Sequence, residues 1–401
     1  MVYIVILTVL LIASFFLEIN ISKRVTNTDW IYGLLLLAFI LLAGLRNKVG
    51  GDSFSYQYVF EDDIKTLFEV PFFGDLFHNE NVTWEPLFVF SLSIVKSLGA
   101  GFWLFQLVHA IFINVVIFNF IKKYTRYKYT ALLFYAFFYY LYFNTEILRE
   151  SIAVAVFLIA YPYLKNKSYL KYFCLVLVGI GFHTSALILL IIPLLRLFKL
   201  DKKGVTYLTL LLFIAFFSNV LFSSFLSDVF GGFSDKFDRY ANIKLNINGM
   251  IFTFGMFVFF PFFLIKYLKL DRKDLPFNDL LFTYFMFAVI FVGINGLGRF
   301  INYLGIFMII YLCNAIYILK INGSRIAMSN FVILLLFLIP FYYKYTYYNA
   351  VILASSNSKK IEIYYPYYFI FEVNNQEFER YKLYKESMSD SFIRSLERNN
   401  N

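Results

Sequence analysis

The chain has 401 residues, of which 60% are hydrophobic, 22% aromatic and only 15% charged, with a formal net charge of +10. A soluble domain carries roughly 25% charged and 45–50% apolar residues. Too few polar residues remain here to cover so much Phe, Tyr, Leu and Ile. A soluble enzyme, a nucleic-acid binder and a disordered protein are excluded, and an all-α, polytopic integral membrane protein is predicted. The surplus of Lys and Arg is assigned to membrane-side connectors.

A span needs about 20 mostly apolar residues. Runs between charges predict spans near 2–20, 30–45, 102–121, 129–145, 147–164, 205–227, 250–269, 278–297, 299–320 and 327–349. Met1–Asn20 lacks a basic start and reads as a first membrane helix, not a cleaved signal. The stretch 169–199 is too long for one span and is interrupted at Gly179, Gly181 and His183, which predicts two short helices meeting at the outer surface. Segment 84–98 is short and contains Lys96, so it is expected to be re-entrant or interfacial. The total is about 11–13 transmembrane or re-entrant helices. No internal repeat is visible.

Orientation follows the basic residues. Lys23/Arg24, Lys122/Lys123/Arg126/Lys128, Lys165/Lys167/Lys171, Lys199/Lys202/Lys203, Lys266/Lys269/Arg272/Lys273 and Lys320/Arg325 mark cytoplasmic connectors. Loop 46–83, with three basic residues against seven acidic ones, then falls outside, as do 228–248 and the polar tail 351–401. The domain reading is therefore one multispan body over 1–350 followed by the tail. Cys174 and Cys313 lie in apolar runs, and the three histidines show no ligand spacing, so neither a disulfide framework nor a zinc site is expected.

Charges at the membrane edge are the informative residues, because Arg at mid-helix costs about 2.5–3.5 kcal/mol on a translocon scale. Arg46 ends the second helix and opens Arg46-Asn-Lys-Val-Gly-Gly-Asp52-Ser-Phe-Ser-Tyr56; Arg149 and Glu150 follow Asn144-Thr-Glu146; His183 sits at the kink; Arg299 follows a glycine-rich run. Asn295, Arg299 and Tyr303, four apart, share one helix face. Singly, each has an ordinary reading: a snorkelling arginine, an interfacial ion pair, a packing histidine. Together, three arginines, a histidine and an aspartate reach one membrane face from four parts of the chain. Arginine binds pyrophosphate bidentately and keeps its charge, so the cluster points to a phosphorylated lipid headgroup. No DxD-like or paired acidic motif appears on that face, so no metal and no cofactor are expected. His109, Asn114 and Asn119 are read as interhelical hydrogen-bonding residues.

These same residues carry a family resemblance. Arg46…Gly50-Gly-Asp52…Tyr56 resembles the Arg-x-x-x-Gly-x-Asp-x-x-x-Tyr motif of the EpsG family, among the Wzy-like bacterial polysaccharide polymerases. Leu148-Arg149-Glu150-Ser151-Ile152-Ala153 resembles its Leu-Arg-Gln-x-Ile-Ala motif, with Glu150 where Gln is usual. Phe182-His183-Thr-Ser185-Ala186 matches its Phe-His-x-Ser-Ala motif, Gly298-Arg299-Phe300…Tyr303 its Arg-Phe element, and Asp238-Arg239-Tyr240 its loop motif ending in Tyr. The resemblance implies a fold of the multispan type shared with O-antigen ligases and related to GT-C glycosyltransferases. It implies an enzyme of the bacterial cytoplasmic (inner) membrane, acting at the outer face on undecaprenyl-diphosphate-linked oligosaccharide as donor and acceptor. A chain-length regulator and a flippase are the partner proteins such a system implies, beside the lipid bilayer and without nucleic acid.

Within that reading Arg149 and Arg299 are expected to hold the diphosphate with Arg46 assisting, and His183 or Asp52 to act as base or orient the acceptor. Tyr56, Glu150, Arg239, Tyr240, Asn295 and Tyr303 are the remaining substrate-binding candidates. Alternatives are a lipid-linked oligosaccharide flippase or exporter, an O-antigen-type ligase using the same donor, and a non-catalytic scaffold. Gathering of the polar residues at one face, without paired halves, favours an enzyme over a transporter.

Overall fold

A computed structural model describes residues 2–19, 28–70, 72–77, 82–201, 203–211, 254–267, 275–293, 299–321, 342, 364 and 367–371. The expected span at 205–227 lies outside these residues beyond residue 211, and 327–349 does so apart from residue 342. Within them the protein is an all-α membrane protein, with one isolated antiparallel bridge, Arg46 to Phe369, and no longer strand.

Three helices are long and apolar enough to cross a bilayer: Val2–Ile19, Phe102–Tyr124 and Phe300–Ile318. We label the helices α1 (Val2–Ser14, continued by a π-type turn, Phe15–Ile19), α2 (Asp29–Gly44), α3 (Ser53–Asp62), α4 (Pro86–Ser97) and α5 (Phe102–Tyr124). Then come α6 (Lys128–Tyr135), α7 (Leu148–Lys165), α8 (Tyr169–Phe182), α9 (Ile192–Leu195), α10 (Phe260–Tyr267), α11 (Leu281–Gly293) and α12 (Phe300–Ile321). α12 is buried over most of its length against α5, α6, α7 and α11, whereas α1 exposes most of its side chains. α7 packs chiefly on α8, and α2 on α5.

Two of the expected segments have the following structure. The 169–199 segment is α8, a break at His183, then a tight 3-10 run Thr184–Ile191 leading into α9. The 84–98 segment is the 12-residue α4, about 18 Å long at 1.5 Å per residue and so short of a ~30 Å hydrocarbon core. Glu85 and Pro86 start it, in keeping with proline at a first helical turn. Lys96 explains why this segment carries a charge. Its Nζ donates to the carbonyls of Phe60, Glu61 and Ile64 at 3.0, 2.8 and 2.7 Å, closing the C-terminal end of α3, where a helix leaves carbonyls unsatisfied and favours a cation.

Two expectations are modified. Loop 46–83 contains α3 and a short 3-10 turn, Phe73–Leu76. The 129–145 span is not a uniform helix: after α6 it widens into π-type turns at Ala136–Tyr140 and Tyr142–Glu146, a feature that recurs near functional sites. The widened turns bring Asn144 beneath the site, where it accepts from Asn114 Nδ2 at 3.1 Å. His109 Nε2 bridges to α7 through Ser151 Oγ at 2.9 Å. Asn119 is exposed to the outside of the bundle and takes no part in this network.

Candidate functional site

Successive residues of an α-helix point about 100° apart, so Arg149 and Glu150, at the first turn of α7, serve different neighbours. Arg149 turns to α4: its Nη1 lies 2.7 Å from Glu85 Oε2, and its guanidinium stacks over Trp84 at 5.3 Å. Tyr56, on α3, hydrogen-bonds the same arginine and packs against Trp84. Glu150, 1% exposed, turns to α12: its Oε1 accepts from Asn302 Nδ2 at 2.7 Å, and its Oε2 lies 3.7 Å from Arg299 Nε. The carboxylate that replaces the usual Gln thus faces Arg299 as a counter-charge, at a distance longer than a hydrogen bond.

Glu85 is the residue that sequence reasoning missed. Besides Arg149 it accepts from Thr184 N at 3.0 Å and Thr184 Oγ1 at 3.2 Å, tying α4, α7 and the break after α8 together. Burial pushes its pKa up, but the Arg149 guanidinium and the Thr184 N–H outweigh this and hold the carboxyl below its usual value. An acidic residue directly before proline at the start of an apolar run was the available signal.

His183 ends α8 with extended backbone (φ −157°), which frees its ring to face α12. Nε2 lies 3.0 Å from Arg299 Nη1. A guanidinium only donates, so Nε2 presents its lone pair to Arg299. On the other side of the ring, Nδ1 faces Ser185 N at 3.1 Å and Ser185 Oγ at 2.6 Å, and that hydroxyl is itself 2.8 Å from the Tyr303 hydroxyl. Helix α12 and the residue just before it thus contribute Arg299, Asn302 and Tyr303.

Gly50, Gly51 and Asp52 form the rim. Gly50 has φ +99°, and a Cβ there would stand 2.5 Å from Thr145 Cβ, so both backbone and space require glycine. That turn aims Gly51 N at Glu146 Oε1 (2.8 Å) and Asp52 N at Glu146 Oε2 (3.4 Å). The crowded rim and then Glu146 push the Asp52 pKa up to about 7, with Arg299 and Arg149 opposing. Asp52 is nevertheless an exposed residue, and water in contact with it screens part of that shift.

Arg46 is not brought into this group. It is fully buried, its Nη1 donates to the Ala43 carbonyl, and Nε and Nη2 lie buried without a partner. The tail covers it: Asn47 N donates to Tyr368 O at 2.9 Å, Ile370 N to Leu45 O at 3.0 Å, and the Tyr367 hydroxyl to Leu42 O at 2.8 Å. Tyr364 donates to Glu146 nearby. Arg239, Tyr240 and Asn295 lie outside the described residues. Among the described residues, no three His, Cys, Asp or Glu side chains are grouped as ligands for a metal ion.

The arrangement is therefore two guanidiniums, Arg149 paired with Glu85 and Arg299 lying near Glu150, the second of which also donates to the His183 imidazole. Searches among curated proteins and solved structures return no match. The model of the EpsG family matches residues 29–375, which takes in Arg46, Asp52, Arg149, His183 and Arg299. The chain belongs to the EpsG family and is a membrane protein of polysaccharide biosynthesis.

Proposed function

We propose that the protein is a polysaccharide polymerase of the bacterial cytoplasmic membrane. It transfers a growing glycan from polyprenyl (undecaprenyl) diphosphate to a hydroxyl of the next lipid-linked repeat unit, at the outer face. The bond between the sugar C1 and the diphosphate oxygen breaks, a new C1–O bond forms to the acceptor, and the acceptor proton leaves to a base. The donor is already activated, so the protein must neutralise the departing diphosphate and remove that proton.

The observation that carries this reading is the 3.0 Å contact between Arg299 and His183. A diphosphate oxygen engaging Arg299 replaces the imidazole as acceptor and leaves Nε2 free beside the reacting centre, ready to take the acceptor proton. Arg149 offers the second cation: its Nε is buried with no acceptor of its own. Preorganised cations act strongly where water is excluded, and general-base help contributes roughly 10²–10⁴-fold. Ser185 and Tyr303 fix the orientation of the imidazole.

The test is a lipid-linked glycan profile from cells lacking the protein, with the leaflet of each species recorded. Single repeat units on the outer leaflet, with no polymer, are expected. Units held on the cytoplasmic leaflet would instead identify a flippase and remove the catalytic roles of His183 and the arginines.

A further inference from the structure

A second cationic cluster, at the opposite end of the bundle, has no part in that chemistry. Lys122 and Lys123 close α5, Arg126 sits in the turn, and Lys128 opens α6. They line a cavity of about 790 Å³ whose other wall is the end of α12 around Tyr317, with Glu18 and Asp29 as its carboxylates. Four cations thus face two anions. Glu18 is occupied by Tyr129 N, Thr130 N and Thr130 Oγ1 at 2.8, 2.9 and 2.9 Å. Asp29 holds Lys122 and Lys128 at 3.0 and 2.7 Å. Among the described residues, Lys123 and Arg126 have no carboxylate. Arg126 is fixed all the same: Nη1 donates to the Tyr317 hydroxyl at 2.8 Å, and the guanidinium lies over that ring at 5.4 Å.

Basic connectors collect at cytoplasmic ends for reasons of topology alone, and solvated lysines need no cavity. Here a preoriented guanidinium stands at an open cavity that is backed by apolar helix faces. Exposed apolar stripes with helical spacing run away from it: Phe16, Ile12, Val9 and Val5 on α1, and Trp30, Leu34, Leu37 and Leu41 on α2. Trp30, beside Asp29 and 64% exposed, marks the headgroup level, where tryptophan concentrates. Basic pockets between membrane helices take anionic headgroups.

We propose that this cavity is a binding site for an anionic glycerophospholipid. Its phosphodiester sits between Lys123 and Arg126, and its acyl chains lie along the stripes of α1 and α2. Asp29 competes with the headgroup for Lys122 and Lys128.

The experiment uses the full chain in nanodiscs of zwitterionic phosphatidylcholine, titrated with phosphatidylglycerol, cardiolipin or inorganic phosphate, and read by thermal unfolding and native mass spectrometry of retained lipid. The anionic lipids should raise the unfolding temperature by a few degrees and remain bound, while inorganic phosphate should do neither. Lys123→Gln with Arg126→Gln should abolish the shift. Asp29→Asn should tighten binding about tenfold, since it releases two lysines to the headgroup, and a gain of this kind cannot come from misfolding. An unchanged shift in the double variant with no gain in Asp29→Asn overturns the proposal. An equal response to inorganic phosphate overturns it too, by assigning the cavity to a free anion.

Discussion

The two ends of the bundle carry similar cations and treat them differently. At the proposed catalytic end the cations are arginines, each matched to a largely buried carboxylate: Arg149 to Glu85 and Arg299 to Glu150, with side-chain exposures of 10% and 1% for the two acids. Each acid has a further donor, Thr184 for Glu85 and Asn302 for Glu150. At the other end lysines predominate, and Asp29, with a side chain 57% exposed, holds two of them. A charge removed from water must be paired and hydrogen-bonded or it is costly, whereas exposed pairs contribute little. The site end is therefore a matched set whose geometry is fixed before substrate arrives. The basic end is a reservoir of charge whose members are individually dispensable to the fold.

The largest expected effect breaks the matched set where it touches substrate. Arg299→Lys keeps the charge but loses the fork that serves Glu150, His183 and a diphosphate together. Removing one preorganised donor from a reacting centre costs about 10²–10³-fold, so polymer should collapse to single repeat units while the protein still inserts. His183→Ala should give the same profile. Full-length polymer from Arg299→Lys would mean that a point charge suffices, and the contrast between the two ends would lose its functional meaning.

A smaller effect sharpens the comparison through stability. Glu85→Gln strands Arg149, whose Nε already lacks a partner, and breaking a buried ion pair costs about 3–5 kcal/mol. Arg149 keeps 21% of its side-chain surface, which places the expected loss at or below about 3 kcal/mol. Thermal unfolding in detergent should show it, and Arg149→Gln combined with Glu85→Gln should recover part of the loss, the signature of a coupled pair. Asp29→Asn at the other end should leave the unfolding temperature unchanged. Equal effects at both ends would show that burial does not separate them.

How much of this was legible in the sequence follows from the same physics. Membrane-edge cations stand out against apolar runs, so Arg149, His183 and Arg299 were found, as was the helix break at His183, where glycines interrupt a run too long for one span. Their partners were harder to see. Glu85 lies 64 residues from Arg149, and nothing local ties the two; Glu150 was visible, but its place opposite Arg299 needed α12 beside α7. The π-type turns over 136–146 were invisible because hydropathy is blind to helix width. The burial of Arg46 depends on backbone pairing with residues 368–370, contributed by a tail that reads as a polar surface segment.

Asp52 is the exception at the site end, an acid at the rim that water reaches, and it offers the finest test. Its folded pKa lies near 7 against an ordinary 3.8, raised by its crowded surroundings and Glu146. A raised acid favours the folded state most when protonated. The stabilising contribution is complete below about pH 4 and is lost as pH climbs toward 7. Unfolding temperature should therefore decline slightly over that interval in the wild type and less in Asp52→Asn. Contact with water keeps the difference small. The same variant separates the two base candidates. If His183 takes the acceptor proton, Asp52→Asn still makes polymer. If polymer stops while the protein still inserts, the proton goes to the rim carboxylate, and the imidazole lone pair facing Arg299 serves only to position that guanidinium.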